Sequence, residues 1–298
     1  MIIHVENLHR SFGRHEALRG LDLDVEQGSA FALIGANGAG KTTTIRVLMN
    51  IIGPSRGRAT VLGVDSRRLR PCQLEQIGYV SENQLMPGRL TVGRYLAYLR
   101  PFYSGWDCTL EREILGELRL PAKCRIRDLS HGMRLKLSLA CALPFRPKLL
   151  VLDEPFSGLD PLIRDEFMER LLRQAGEMTI LISSHELAEI EGVATHVGFM
   201  DRGRLLFQES MDDLAGRVRE VRVTLEAQPR VPAALPGEWL RIATAGNVVS
   251  FVDTRFSRDR LAGTLASLFT GIRNIDVQPI SLRSIFTTLA RAERDREI

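Results

Sequence analysis

Residues 35–43 read Gly35-Ala36-Asn37-Gly38-Ala39-Gly40-Lys41-Thr42-Thr43, the pattern G-x-x-x-x-G-K-[ST]. Each residue type in it suits phosphate. The glycines let the backbone turn tightly and offer its N–H groups to phosphate oxygens with no Cβ in the way. Lys41 carries a mobile point charge to the β and γ phosphates, and the Thr42 hydroxyl is placed to ligate Mg²⁺. The chain has 36 arginines and only four lysines. One of the four stands in the loop, where a planar guanidinium would fit poorly.

Two adjacent carboxylates, Asp153 and Glu154, end the apolar run Leu149-Leu150-Val151-Leu152. In a phosphate site such a pair divides the work: Asp153 holds Mg²⁺ and Glu154 orients or deprotonates an attacking water. A third apolar run, Thr179-Ile180-Leu181-Ile182-Ser183-Ser184, delivers His185 at its end. Upstream of the two carboxylates, Leu129-Ser130-His131-Gly132-Met133 opens an amphipathic helix with Ser130 as a natural N-cap.

The elements that must position these groups follow from the apolar pattern. Phe31-Ala32-Leu33-Ile34 is a short run suited to a buried parallel strand. Thr42 to Asn50 has helical spacing at Ile45, Leu48 and Met49, which puts the phosphate at a helix N-terminus. Residues 1–215 alternate such strands and helices. The fold class expected is therefore α/β, with the P-loop of an NTPase set on a largely parallel central sheet. Short antiparallel strands (Ile2 to Val5, Leu21 to Val25) are expected in an N-terminal β part, and a helical subdomain at about 91–145. Pro101 and the Trp106-Asp107 turn interrupt that block. From 216 to 298 the texture changes to alternating strands and two helices, expected to form a small C-terminal accessory α+β domain. In it, Leu240 to Val252 reads as two strands joined at Gly246-Asn247.

Bulk properties bound the function. Hydrophobic content of 44% and charged content of 26% are ordinary for a globular chain. The longest apolar runs fall far short of the roughly 20 residues a membrane span needs, and the N-terminus lacks the layout of a signal peptide. Four cysteines without a C-x-x-C pair speak for reduced thiols and against a zinc site. Residues 1–215 carry 27 basic and 27 acidic residues, whereas 216–298 carry 13 and 9 and supply the whole net charge of +4.

In order and approximate spacing, the phosphate loop, the Leu129–Met133 signature, the Asp153–Glu154 pair, the segment Ser157-Gly158-Leu159-Asp160 and His185 resemble the ATP-binding cassette family. The resemblance covers residues 2 to about 212, and within the family the chain looks most like single-cassette subunits of ABC-2-type exporters. It implies ATP and Mg²⁺ as cofactors, with Glu154 and His185 catalytic. Phe12 would stack on adenine, the loop residues 35–43 would hold phosphate, and Thr42 and Asp153 would hold the metal. The resemblance further implies that Ser130 and Gly132 act in trans at a nucleotide held by another subunit, and it puts Asp160 among the nucleotide-binding residues. A homodimer or heterodimer of cassettes, an integral-membrane permease as partner, and a peripheral place on the cytoplasmic side of the membrane follow from it. No nucleic acid is expected.

Three departures stand out. Phe12 replaces the family's usual Tyr and keeps the ring while losing the hydroxyl. His131 and Met133 replace the third and fifth residues of Leu-Ser-Gly-Gly-Gln, and Met133 cannot donate the hydrogen bonds of Gln. Glu82 stands where the family's metal-sensing Gln is usual, with Gln84 two residues on, and either can serve. Two other classes remain as alternatives: a soluble cassette ATPase acting on nucleic acid or the ribosome, and a weakly hydrolysing regulatory ATP binder.

Overall fold

The computed structural model describes residues 1–82, 84–156, 164, 168, 178–229, 231–232 and 234–296, the last four by backbone alone. The chain divides into two compact units, Met1–Gln208 and Glu209–Ile298.

The first unit begins with a long hairpin, β1 (Ile3–Phe12) and β2 (His15–Val25), turning at Gly13-Arg14. These strands are longer than the apolar residues alone suggest. Their outer halves (His9, Arg10, Ser11; His15, Glu16) are polar and are held by antiparallel pairing, Phe12 opposite His15. With β4 (Arg56–Val61) and β5 (Val64–Asp65) they form a four-stranded sheet in the order β2-β1-β4-β5.

The second sheet has the order β10-β9-β3-β8-β7-β6, with β3 (Ala30–Ile34), β6 (Ile77–Ser81), β7 (Leu149–Asp153), β8 (Thr179–Ser184), β9 (His196–Asp201) and β10 (Arg204–Ser210). β3, β7 and β8 are buried at every residue. That is the environment of a parallel strand covered on both faces, and each large apolar side chain there contributes about 1.5–3 kcal/mol by burial. The pairs β3/β8, β3/β9, β7/β8 and β6/β7 are all parallel.

Register decides what these strands deliver. Ile34 lies beside Ser184, Ser183 beside Asp153, and Asp153 beside Ser81. The residues that follow, Gly35, His185, Glu154 and Glu82, therefore emerge together along the carboxyl edge of the sheet, where open α/β sheets hold their ligands.

Helix α1 (Lys41–Leu48) leaves β3 directly, with Gly40 as N-cap in left-handed backbone at φ 108. A side chain at Gly40 would meet the Ala17 carbonyl and the Leu18 side chain at 2.9 Å, and one at Gly35 would meet the Met200 carbonyl at 2.4 Å. After α2 (Pro71–Leu74) comes the helical block: α3 (Val92–Leu99), α4 (Cys108–Glu117) and α5 (His131–Ala142). A 3-10 turn at Arg100–Phe102 separates α3 from α4, and Asp107 caps α4 by accepting from Thr109 and Leu110 N–H.

The second unit, described by itself, holds α6 (Met211–Arg217) and a four-stranded antiparallel sheet in the order β12-β13-β11-β14. Its strands are β11 (Arg219–Leu225), β12 (Trp239–Ala245), β13 (Val248–Asp253) and β14 (Ile272–Pro279), with helices α7 (Arg258–Leu268) and α8 (Leu282–Arg296). The two-residue turn expected at Gly246-Asn247 joins β12 to β13, with Gly246 at φ 59. Val221, Val223 and Phe251 pack with Leu261 and Leu265 in its core, and Trp239 stacks on Phe251. Among the described residues no helix is long and apolar enough to cross a membrane.

Candidate functional site

A cleft of about 630 Å³ opens over the carboxyl edge of the parallel sheet. Phe12, His15 and Ala17 line one part of it, Asn37, Gly38, Gly40, Lys41, Thr42 and Thr43 a second, and Glu82, Glu154 and His185 a third. Its size is that of a cofactor pocket.

Lys41 is only 4% exposed, and all three of its donors are engaged. Nζ donates to the carbonyls of Gly35 (2.6 Å) and Ala36 (3.2 Å) and pairs with Glu154 Oε1 at 3.0 Å. The lysine expected to hold phosphate is thus parked on the carboxylate expected to activate water.

The two consecutive acids serve different partners. Asp153 is buried, and its Oδ1 accepts from Thr42 Oγ1 (3.0 Å) and Ser183 Oγ (2.8 Å). Glu154 adopts left-handed backbone at φ 49, a conformation that costs a non-glycine residue about 1–2 kcal/mol. Its N–H donates to the same Ser183 hydroxyl, at 2.9 Å. That turn separates the side chains: Asp153 faces the helix through Thr42, and Glu154 faces Lys41 and His185. Burial pushes the Asp153 carboxyl above the usual carboxylate range, although Ser183 and Thr42 bond it. A buried acid with two hydroxyls at one oxygen is a donor set fit for a hard cation.

His185 Nδ1 meets Glu154 Oε2 at 2.7 Å, and this hydrogen bond raises the imidazole above its ordinary 6.5. Behind it, Ser184 Oγ donates to the buried Glu189 carboxylate, whose proton affinity burial raises. Glu154, His185 and Glu189 offer ligand atoms within 4.8 Å of one another. The raised His185 contributes stability that is complete below the unfolded pKa and lost as pH climbs through the folded one. An NMR titration of the imidazole is expected to place His185 above 6.5, and Glu154→Gln to bring it back toward that value. A wild-type midpoint at or below 6.5 would mean the Glu154 contact is not made in solution.

The other residues singled out from the sequence lie as follows. Ser130 caps α5, its Oγ accepting from Met133 N–H at 3.2 Å, and it stays exposed. Neither Ser130 nor Gly132 lines the cleft of Lys41. Glu82 does, and its N–H donates to the Asp153 carbonyl at 3.1 Å. Gln84 and His131 instead line a neighbouring cavity of about 270 Å³. Asp160, with the segment 157–160, falls outside the described residues.

His15, Ala17, Ser183 and Glu189 also stand at the site, and none of them belongs to the motifs legible in the sequence. Ser183 had a visible signal, a hydroxyl pair ending an otherwise apolar strand. His15 enters only because the hairpin register sets it opposite Phe12.

Residues 18–157 match the family model described as ABC transporter. The chain is 35% identical to the bacitracin transport ATP-binding protein BcrA of Bacillus licheniformis over 225 residues, 74% of this chain and 73% of that one. It is 34% identical to an uncharacterised ABC transporter ATP-binding protein of Synechocystis, over 71% of this chain and 61% of the relative's length. A solved structure described as the ATP binding subunit of an ABC transporter superposes with a TM-score of 0.66 at 29% identity, over 72% of this chain and 92% of that one.

Proposed function

Because this chain belongs to the ABC transporter family, we propose that it is the ATP-binding and ATP-hydrolysing subunit of a transporter, powering a separate membrane permease, with export the direction. One observation carries the reading: Glu154, just past the end of β7, contacts both Lys41 at the start of α1 and His185 after β8, and all three face a cleft that Phe12 also lines. The relative named for bacitracin transport supports a transporter, and a relative from Cupriavidus metallidurans named for Nod factor export, 32% identical over 72% of each chain, supports export.

In this reading the triphosphate enters along the loop 35–43 and the base rests at Phe12. Phosphate oxygens take over the donors of Lys41, which releases Glu154. The freed carboxylate then orients the attacking water and accepts its proton, while His185 bonds the γ-phosphate. Thr42 and Asp153 would hold Mg²⁺, which when bound neutralises charge on the β and γ phosphates. Glu82, on the cleft wall, and Gln84, beside it, are the candidates to sense the metal. Ser130 and Gly132 lie away from this chain's own cleft, which supports their use at the nucleotide of a second cassette, in a homodimer or heterodimer.

The helical block is the surface offered to the permease. Tyr98 and Phe102 are 59% and 58% exposed and pack edge to face with centroids 5.4 Å apart. The test is co-purification from membranes with an integral-membrane partner, followed by ATPase assay of the complex. Tyr98→Glu with Phe102→Glu is expected to cut recovery of that partner about tenfold or more, with ATP binding retained, since aromatic anchors of this kind dominate interfaces. Activity that is stimulated by RNA and indifferent to membrane would sink the transporter reading.

A further inference from the structure

Phe12 is 46% exposed at the tip of β1, and a lone exposed ring samples many positions. Here one face of it is covered. The Arg10 guanidinium carbon lies 4.6 Å from the ring centroid, within cation–π range. Arg10 is itself anchored, its Nη1 donating to the Gly53 carbonyl at 2.7 Å, in the loop that follows α1. Two further bonds tie the same stretch: Ser55 N–H to the His9 carbonyl at 2.8 Å, and Ser11 N–H to Ser55 Oγ at 3.0 Å. The Arg10 Nε is buried without a hydrogen-bond partner among the described residues. The group is therefore not placed to maximise its own hydrogen bonds; the ring and Gly53 decide where it sits.

We propose that Arg10 is a positioning residue of the nucleotide site: it backs the Phe12 ring so that only the cleft-side face is open to a purine. The chain lacks a tyrosine hydroxyl at Phe12 that could bond and fix the ring, and Arg10 supplies the restraint from behind. The stack runs from the Gly53 carbonyl through the guanidinium and the ring to the base. It links the base platform to the loop at the far end of the phosphate-binding helix. The inference rests on the ATP-binding reading of the cleft and adds to it how the base is held.

The experiment separates base from phosphate. Calorimetry is run with Mg-ATP and with inorganic tripolyphosphate, which has no base to stack. Wild-type protein is expected to bind both, ATP more tightly. Arg10→Met, which keeps most of the apolar packing, is expected to weaken ATP by about threefold to tenfold and leave tripolyphosphate unchanged. Arg10→Lys keeps the charge without the fork and should fall between the two. In a Phe12→Ala background Arg10→Met should have no further effect, because the ring it backs is gone. Equal losses for ATP and tripolyphosphate, an undiminished effect without Phe12, or no effect on ATP would each overturn the proposal. Wild-type protein that fails to bind ATP would instead overturn the functional reading itself.

Discussion

Glu154→Gln is expected to yield a protein that binds ATP more tightly than wild type and does not turn it over. The first half comes from the ion pair. Glu154 Oε1 holds Lys41 Nζ at 3.0 Å, and Lys41 has no spare donor while that contact lasts. Phosphate must compete with it. A neutral amide competes less, so affinity should rise by about threefold to tenfold, or about 0.7–1.4 kcal/mol. The second half comes from chemistry. The amide cannot accept the proton of the attacking water, and loss of a general base costs about 10²–10⁴-fold in rate. With hydrolysis blocked and a nucleotide retained, the cassette pair should persist as a dimer in gel filtration with ATP. Turnover within a few-fold of wild type would remove Glu154 from the role given to it. Weaker ATP binding would show that the Lys41 contact does not compete with phosphate.

Asp153→Asn is the second large effect, and its sign differs between the nucleotide-free and bound protein. Burial raises the Asp153 carboxyl above 3.8, so the native state holds this proton more tightly than the unfolded chain does. Stability is then lost as pH rises from the unfolded pKa through the folded one, so the native protein bears this penalty on the alkaline side of that window. Asparagine removes it while Oδ1 still accepts from Thr42 and Ser183. The nucleotide-free variant should therefore melt at or above the wild-type temperature near neutral pH, with the advantage shrinking in acid. With Mg-ATP the order reverses. Ligand at a hundredfold excess over Kd adds about 2.7 kcal/mol to the wild type, roughly 5–10 °C in Tm, and the variant should lose the magnesium-dependent part. A variant that melts several degrees below wild type without nucleotide, and still gains from magnesium, would refute the assignment of Asp153 to a cation.

Much of this was legible before any coordinates. The α/β class, the strand before Gly35, the helix after it and the strand ending in Asp153-Glu154 are written in contiguous apolar runs with recognisable punctuation. The second unit's hairpin at Gly246-Asn247 was equally plain, since a two-residue turn carries its own signal. The β1–β2 hairpin is longer than its apolar pattern indicates, because its outer halves are polar and pairing rather than burial extends them.

What the sequence determined by itself is the chemical inventory and its local setting: a lysine in a glycine loop at a helix start, two acids after a buried strand, a histidine after another. Those depend on neighbours a few residues away, and the periodicities of strand and helix transmit them directly. The tertiary structure decided which of these groups meet. That β8 lies between β3 and β7, in a register setting Ser183 beside Asp153 and Ser184 beside Ile34, is a property of sheet order. From that order come the parking of Lys41 on Glu154, the double use of the Ser183 hydroxyl and the meeting of Glu154 with His185. Arg10 behind Phe12 likewise depends on a loop 43 residues further on. Contacts between residues far apart in the chain are set by packing and strand pairing, which no local pattern encodes.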